Sequence, residues 1–198
     1  IGRRLIPLMG RILALTGGVG GAKLALGLSQ ILAPDELLFA VNTGDDFEHL
    51  GLHISPDLDS LTYALSQQNN TETGWGRAGE SWNFIETLGA LGGEAWFRLG
   101  DKDLALHTAR TQMLKSGETL SQATAAITQS MGIEHTAAPM SDSPVRTIVH
   151  SDQGDLAFQH YFVREGCGPK VSGFSFDGIA NAELTPLIRE WLADCDGV

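Results

Sequence analysis

The stretch "RILALTGGVGGAKLALGLSQIL", residues 11–32, sets Gly17, Gly18, Gly20 and Gly21 between an apolar run and a leucine-spaced segment. Glycine costs conformational entropy, so such a turn has a use for bare backbone. Ile12, Leu13, Ala14 and Leu15 suit a strand buried on both faces. From Ala22 onward Leu24, Leu26, Leu28, Ile31 and Leu32 fall near helical spacing, and Pro34 stops the helix. A strand, a glycine turn and a helix N-terminus make an anion site, because free N–H groups and the helix dipole point at one spot. The same string also serves a tight turn with close helix–strand packing and no ligand. Gly20 is expected where the backbone is left-handed or closely approached. No Gly-Lys-Ser/Thr triplet follows, so this is no Walker A loop. Lys23 stands where the third glycine of G-x-G-x-x-G belongs, which disfavours a nicotinamide dehydrogenase.

A second group is acidic. Asp45 and Asp46 follow the apolar run "LLFAV", at the strand edge where open α/β sheets bind ligands. Asp57 and Asp59 follow in the first turn of a helix started by Ser55-Pro56. Four carboxylates beside a phosphate turn imply a hard cation such as Mg²⁺, with Asp45 and Asp59 as the first candidates. For Asp57 a first-turn acid that favours the helix dipole is sufficient explanation.

Further along, Asp103, His107 and Arg110 share one helix face. With Arg98 and Lys102 nearby, that face grips a phosphate or forms a solvated salt-bridge ladder. Trp75, Trp82 and Trp96 stack on a flat ring or fill a core. The loop "MSDSPVRT" adds Ser141 and Asp142 as phosphate-contact candidates.

These residues need elements to hold them. Strand–helix–strand order over residues 9–66 predicts a doubly wound, Rossmann-like parallel sheet. Residues 67–135 read as an inserted helical lobe: a helix ending at Gly92-Gly93, one from Asp101 to Gly117, and one capped by Thr119 or Ser121 and ended by Gly132. Residues 140–198 read as a β-hairpin, with "VRTIVHSDQGDLAFQHYFVRE" alternating about Asp152-Gln153-Gly154, then a helix returning to the sheet. The whole is one nucleotide-binding α/β domain of 198 residues.

Composition excludes some classes. With 24 acidic against 13 basic residues, nonspecific nucleic-acid binding is disfavoured. Cys167 and Cys195 have no metal-ligand spacing, and a reducing cytoplasm suits them. No apolar run approaches membrane-spanning length, and the first residues lack a signal-peptide pattern. Met9 reads as a natural start, with Ile1–Leu8 an upstream extension.

Taken in order, "GGVGGAKL", "NTGDDFEHLGLHISPDLDSLTYAL", "WGRAGESWNFIETLGALGGEAWFRLGDKDLALHTARTQML" and "MSDSPVRT" resemble the 2-phospho-L-lactate transferase family, from about Arg11 to Val198. That resemblance implies coenzyme F-420 biosynthesis. The terminal ribityl hydroxyl of the deazaflavin FO attacks the phosphorus of a guanosine-diphosphate-activated phospholactate, phosphoenolpyruvate or phosphoglycerate. GMP leaves, with Mg²⁺ required. It implies Asp59 and Arg98 at FO, Asp45 and Asp59 at the metal, and Gly17, Gly18, Gly20, Gly21 and Lys23 near the nucleotide. It also implies a homodimer. The family continues to a Pro-Ser-Asn-Pro motif beyond the next strand, so a C-terminal part is expected to be missing after Val198. The competing function is a non-catalytic, nucleotide-sugar-binding regulatory protein of the same fold. A purely structural α/β domain is the weakest reading, given the polar strand ends.

Overall fold

A computed structural model describes residues 10–198; Met9 and the Ile1–Leu8 extension lie outside the described residues. Strand β1 (Ile12–Thr16) leads through Gly17 into helix α1 (Gly18–Ser29), and the chain returns as β2 (Leu37–Val41). β1 and β2 pair in parallel, from Ile12 opposite Leu37 to Thr16 opposite Val41. Strand β5 (Thr136–Pro139) adds to the far side of β2, also in parallel. On the other side of β1 the Leu13 N–H donates to the Gly197 carbonyl at 3.0 Å, in a parallel bridge. The order is thus residue 197, β1, β2, β5, the arrangement of a Rossmann-like sheet.

Why the sheet is doubly covered follows from period-2 alternation. Every residue of β2 is buried. Leu37, Phe39 and Val41 pack with Ala25 of α1, with Leu58 and Leu61 of α2 (Pro56–Leu65), and with Leu120 of α5 (Leu120–Ser130). Leu38 and Ala40 face the other way, against Ile188 and Trp191 of α6 (Pro186–Leu192). This is the α/β sheet that the sequence predicts.

Between β2 and β5 lie a short hairpin, β3 (Phe47–His49) and β4 (Leu52–Ile54), and helices α2, α3 (Asn83–Ala90), α4 (Asp101–Lys115) and α5. Thr119 caps α5 in a reciprocal capping box with Gln122. After β5, strands β6 (Arg146–Ser151) and β7 (Gly154–Ala157) form the expected hairpin.

Four details differ from expectation. The β3–β4 hairpin is absent from the sequence reading, because its strands are too short to show alternation. Strand β8 (Val171–Asp177) was likewise unexpected; it pairs with β6 and makes the hairpin three-stranded. Past Ala157 the chain leaves the strand and winds a π-helical turn at His160–Arg164.

The fourth concerns the glycines, since α1 starts at Gly18 and not at Ala22. Gly18 has φ +61°, a left-handed position suited to glycine. Gly21 packs against β1, where an added Cβ would lie 2.2 Å from Thr16 Oγ1. Gly20 has neither property: its φ is not left-handed, and a Cβ there meets open space.

Different outcomes follow for the two helical glycines. Gly21→Ala should lose about 1–3 kcal/mol by overpacking. Gly20→Ala should hold or gain up to about 1 kcal/mol, as glycine gives way to the best helix former. Urea unfolding of the two variants separates them; equal losses would disprove the packing assignment.

Candidate functional site

The carboxyl ends of β1 and β2 meet in a polar clasp. Asp57, in the first turn of α2, accepts the Gly18 N–H at 2.8 Å and the Asn42 side-chain amide at 2.7 Å. Its carboxylate therefore occupies part of the N-terminus that the glycine turn offers to an anion. Asn42 is the hub: its amide also reaches Asp45 at 3.4 Å, and its side-chain oxygen accepts the Gly44 N–H at 3.0 Å. Burial raises the Asp57 pKa, and the hydrogen bonds from Asn42 and Gly18 oppose the rise. Burial, then the charge of Asp57, pushes Asp45 up to about 6.

Behind this clasp lies a buried ionic chain. Both Nη atoms of Arg110 on α4 reach the Asp59 carboxylate, with Nη1 3.3 Å from Oδ2 and Nη2 on Oδ1. Arg110 and His107 are 2 % and 1 % exposed. Burial alone would lower the Arg110 pKa, but the Asp59 carboxylate outweighs it and holds the guanidinium above its ordinary range. His107 lies between two acids, with Nδ1 3.6 Å from Asp59 and Nε2 3.2 Å from Asp103. The Nε2 contact is electrostatic and lacks hydrogen-bond alignment. Asp103 accepts the Tyr63 hydroxyl. Burial would raise the Asp103 pKa, yet His107 and Tyr63 bring it below the usual carboxylate value.

A third part is a cavity of about 220 Å³ at the ends of β2 and β5. Thr43, Asp46, His53, Ser141 and Arg146 line it on the polar side, and Leu114, Leu120 and Pro144 on the apolar side. Asp46 is buried; its Oδ2 accepts the Ser55 hydroxyl at 2.8 Å and lies 3.1 Å from His53 Nε2. Its Oδ1 has no partner.

The clasp, the ionic chain and the cavity all lie at the carboxyl edge of the parallel sheet, and comparison with known proteins identifies the family. Residues 12–198 match the family model described as 2-phospho-L-lactate transferase CofD. A phosphoenolpyruvate transferase of Kitasatospora aureofaciens is 40% identical over 192 residues, covering 94% of this chain and 60% of the relative. A 2-phospho-L-lactate transferase of Methanospirillum hungatei is 41% identical over 150 residues, covering 76% and 50%.

The chain belongs to the 2-phospho-L-lactate transferase family. It spans about half to three-fifths of the length of these relatives. Among solved structures, protein BH3568 from Bacillus halodurans superposes with a TM-score of 0.61 over 94% of this chain and 56% of that one. At 13% identity this likeness concerns the fold alone. No helix among the described residues is long and apolar enough to cross a membrane.

Within this chain the expected site residues divide into groups. Gly17 and Gly18 meet Asp57 and Asn42 at the clasp, and Asp45 joins them through Asn42. Asp59 lies two residues beyond Asp57, but its oxygens turn to Arg110. His107 and Arg110 do share a helix face, yet that face is turned inward. Arg110 is the counter-ion of Asp59 and His107 its buried neighbour, so neither is an exposed phosphate ligand or part of a solvated ladder. Arg98 is at the surface, its guanidinium 4.6 Å over the Trp82 ring and 3.8 Å from Glu86.

Lys23 is exposed beside a separate cavity of about 40 Å³ with Trp75. Trp96 packs edge-on against Phe97 and His49. Ser141 lines the larger cavity, and its hydroxyl oxygen accepts the Ser143 N–H at 3.1 Å. Asp142 accepts the Ser121 N–H at the start of α5. Sequence reasoning missed Asn42 and Tyr63. Asn42 had one usable signal, a polar side chain directly after a fully apolar strand.

Asp45 fits a divalent cation, being a partly exposed carboxylate whose charge is disfavoured by burial and by Asp57. The described residues hold no group of three or more His, Cys, Asp or Glu arranged for a metal. Mg²⁺ does not need one, since it is usually held by one or two carboxylates, water and substrate phosphates. Asp59 fits less well, its two oxygens being engaged by Arg110.

Two outcomes follow. Arg110→Met leaves Asp59 buried and unpaired, and should cost about 3–5 kcal/mol in urea unfolding. For Asp45, a folded pKa of about 6 lies above the unfolded value, so its contribution to stability is present at low pH and lost as pH rises towards 6. Asp45→Asn should therefore be more stable than the parent at pH 7.5, by about 1 kcal/mol after allowance for solvent screening, with the gap closing below pH 4. A gap unchanged with pH would disprove the assignment.

Proposed function

We propose that the protein containing this chain transfers a phospholactyl, phosphoenolpyruvyl or phosphoglyceryl group from a guanosine-diphosphate-activated donor to the ribityl hydroxyl of FO, in coenzyme F-420 biosynthesis. The observation that carries the reading is the meeting of the glycine turn with Asn42, Asp45 and Asp57 at the carboxyl edge of the parallel sheet. A transfer at phosphorus asks the protein for positioning and charge neutralisation more than for a nucleophile. Backbone N–H groups of the turn and the half-buried carboxylate of Asp45 would provide those means.

In this reading the donor's phosphates approach the turn at Gly20, where an added Cβ would meet open space, since the Gly18 N–H is already given to Asp57. Asp45 would hold Mg²⁺, with Asp59 the second family-matched position. Bound there, the ion would neutralise phosphate oxygens as the bond to the leaving GMP breaks. Asp59 is held from behind by Arg110 and His107, and accepts a hydrogen bond from the attacking ribityl hydroxyl. That oxygen would form the new bond to phosphorus as the P–O bond to GMP breaks, and its proton would pass by way of the Asp59 carboxylate to water. Arg98 supplies a cation on the acceptor side, a role supported by its matching position in the family. Lys23, on the exposed face of α1, would meet the nucleotide, a role supported by its matching position in the family. The reaction belongs in the cytoplasm, and the homodimer is part of the same reading.

The full-length protein, incubated with FO, Mg²⁺ and each guanylated donor, should give the phosphodiester and GMP by mass spectrometry. Asp45→Ala and Asp59→Ala should each remove most turnover, at least tenfold. Arg98→Ala should weaken FO binding more than nucleotide binding in calorimetry. No product with any donor would overturn the proposal; the reverse order for Arg98→Ala would misplace the acceptor.

A further inference from the structure

Two members of the buried ionic chain, Tyr63 and Asp103, have no part in the transfer described above. We propose that they are positioning residues for Asp59: Asp103, held by Tyr63, keeps the ring proton of His107 on Nε2, and the free lone pair of Nδ1 then seats the Arg110 fork on Asp59. The effect on turnover rests on the transferase reading; the place of the proton does not.

The seam that carries this lies between α2 and α4. Asp59 and Tyr63 are four residues apart on one face of α2, and Asp103, His107 and Arg110 share a face of α4. The faces meet in two rungs, Asp59 with Arg110 and Tyr63 with Asp103, and His107 lies between them. Asp59, Tyr63, His107 and Arg110 are all buried, so water does not stand in for a lost partner.

What lies beside each ring nitrogen decides where the proton of His107 sits. Arg110 Nη1 is hydrogen-bonded to Nδ1 at 3.4 Å. A guanidinium carries donors only, so Nδ1 accepts and holds no proton. A proton on Nδ1 would set two donors head to head beside a fixed positive charge. Nε2 faces an acceptor, the Asp103 carboxylate at 3.2 Å, whose charge attracts a proton there even without close alignment. Tyr63 completes the chain. Burial, then the charges of Asp59 and Asp103, holds its hydroxyl well above the usual range, so it remains a donor to Asp103.

The consequence falls on Asp59. Arg110 Nη1 is shared among Asp59 Oδ2 at 3.3 Å, His107 Nδ1 at 3.4 Å and the His53 carbonyl at 3.5 Å. Moving the ring proton to Nδ1 would remove one of these acceptors and push the fork off its seat. Asp59 would turn with it, and a misplacement of about 1 Å at a reacting group costs about a hundredfold in rate. An acid placed behind an imidazole fixes its tautomer in the same way in other sites.

Nitrogen NMR on the full-length protein reads the ring directly. With the His107 signal assigned by its absence from His107→Asn, Nε2 should be the protonated nitrogen and Nδ1 the bare one. A proton on Nδ1 in the parent overturns the proposal. Asp103→Asn should put the proton partly on Nδ1, and should lower kcat about tenfold or more with the KM of the guanylated donor unchanged. Tyr63→Phe should act in the same direction but more weakly. His107→Asn keeps an acceptor near the Nδ1 position and should hold kcat within about threefold, whereas His107→Leu should match Asp103→Asn. A purely structural seam predicts lower thermal melts with kcat per folded molecule unchanged in all four variants. That pattern, or equal kcat in His107→Asn and His107→Leu, sinks the positioning role. A parent that gives no product with any donor overturns the transferase reading, and the ring spectra of the parent and of Asp103→Asn still decide what Asp103 does.

Discussion

Asp57 ties three elements together, because one carboxylate accepts hydrogen bonds from the N-terminus of α1 and from Asn42 at the end of β2 while sitting in the first turn of α2. The glycine turn cannot drift from the sheet edge without breaking that contact. Bare backbone at Gly17 is required for it, since a Cβ there would lie 3.0 Å from Asp57 Oδ2. Gly21 then lets α1 press onto β1 at Thr16. Packing and polar contacts thus hold the turn in place, leaving Gly20 with no structural duty of its own.

A second constraint acts from behind. Asp59, two residues past Asp57, is locked by Arg110 and flanked by His107, with Asp103 and Tyr63 beyond it. Removing an ion pair from water is expensive, and the pair survives only because its hydrogen bonds are nearly complete. The gain is definition: α2 is pinned to α4, so the carboxylates at the sheet edge keep fixed positions. Asp45 differs, being partly exposed and electrically disfavoured. The sheet edge therefore pairs an acid held by Arg110 with a partly exposed one whose charge is disfavoured by burial and by Asp57.

Much of the architecture was legible in the sequence. The apolar runs at 12–15 and 37–41 and the break at Pro34 identify the first strand–helix–strand unit. The Ser55-Pro56 start and the Thr119 cap locate two helices, because caps and proline act locally. The three-residue strands β3 and β4 are too short to carry a period. β8 escapes because its residues are mostly exposed, so alternation of buried and exposed positions does not mark it. The start of α1 was misplaced because glycine has low helix propensity, and tertiary packing overrode it.

For the site, the sequence by itself determined which chemical groups are present and roughly which edge carries them. Glycine before a helix and acids after a buried strand follow from local backbone rules. The family's motif order adds the expected roles. Only the tertiary structure decided the partners. Asp103, His107 and Arg110 look alike as a helix stripe whether that stripe faces water or Asp59, since periodicity fixes a face and not its direction. The pairing of Asp59 with Arg110 spans 51 residues, and no local spacing encodes it. The cavity between Thr43 and Ser141 likewise exists only once β2 and β5 lie side by side.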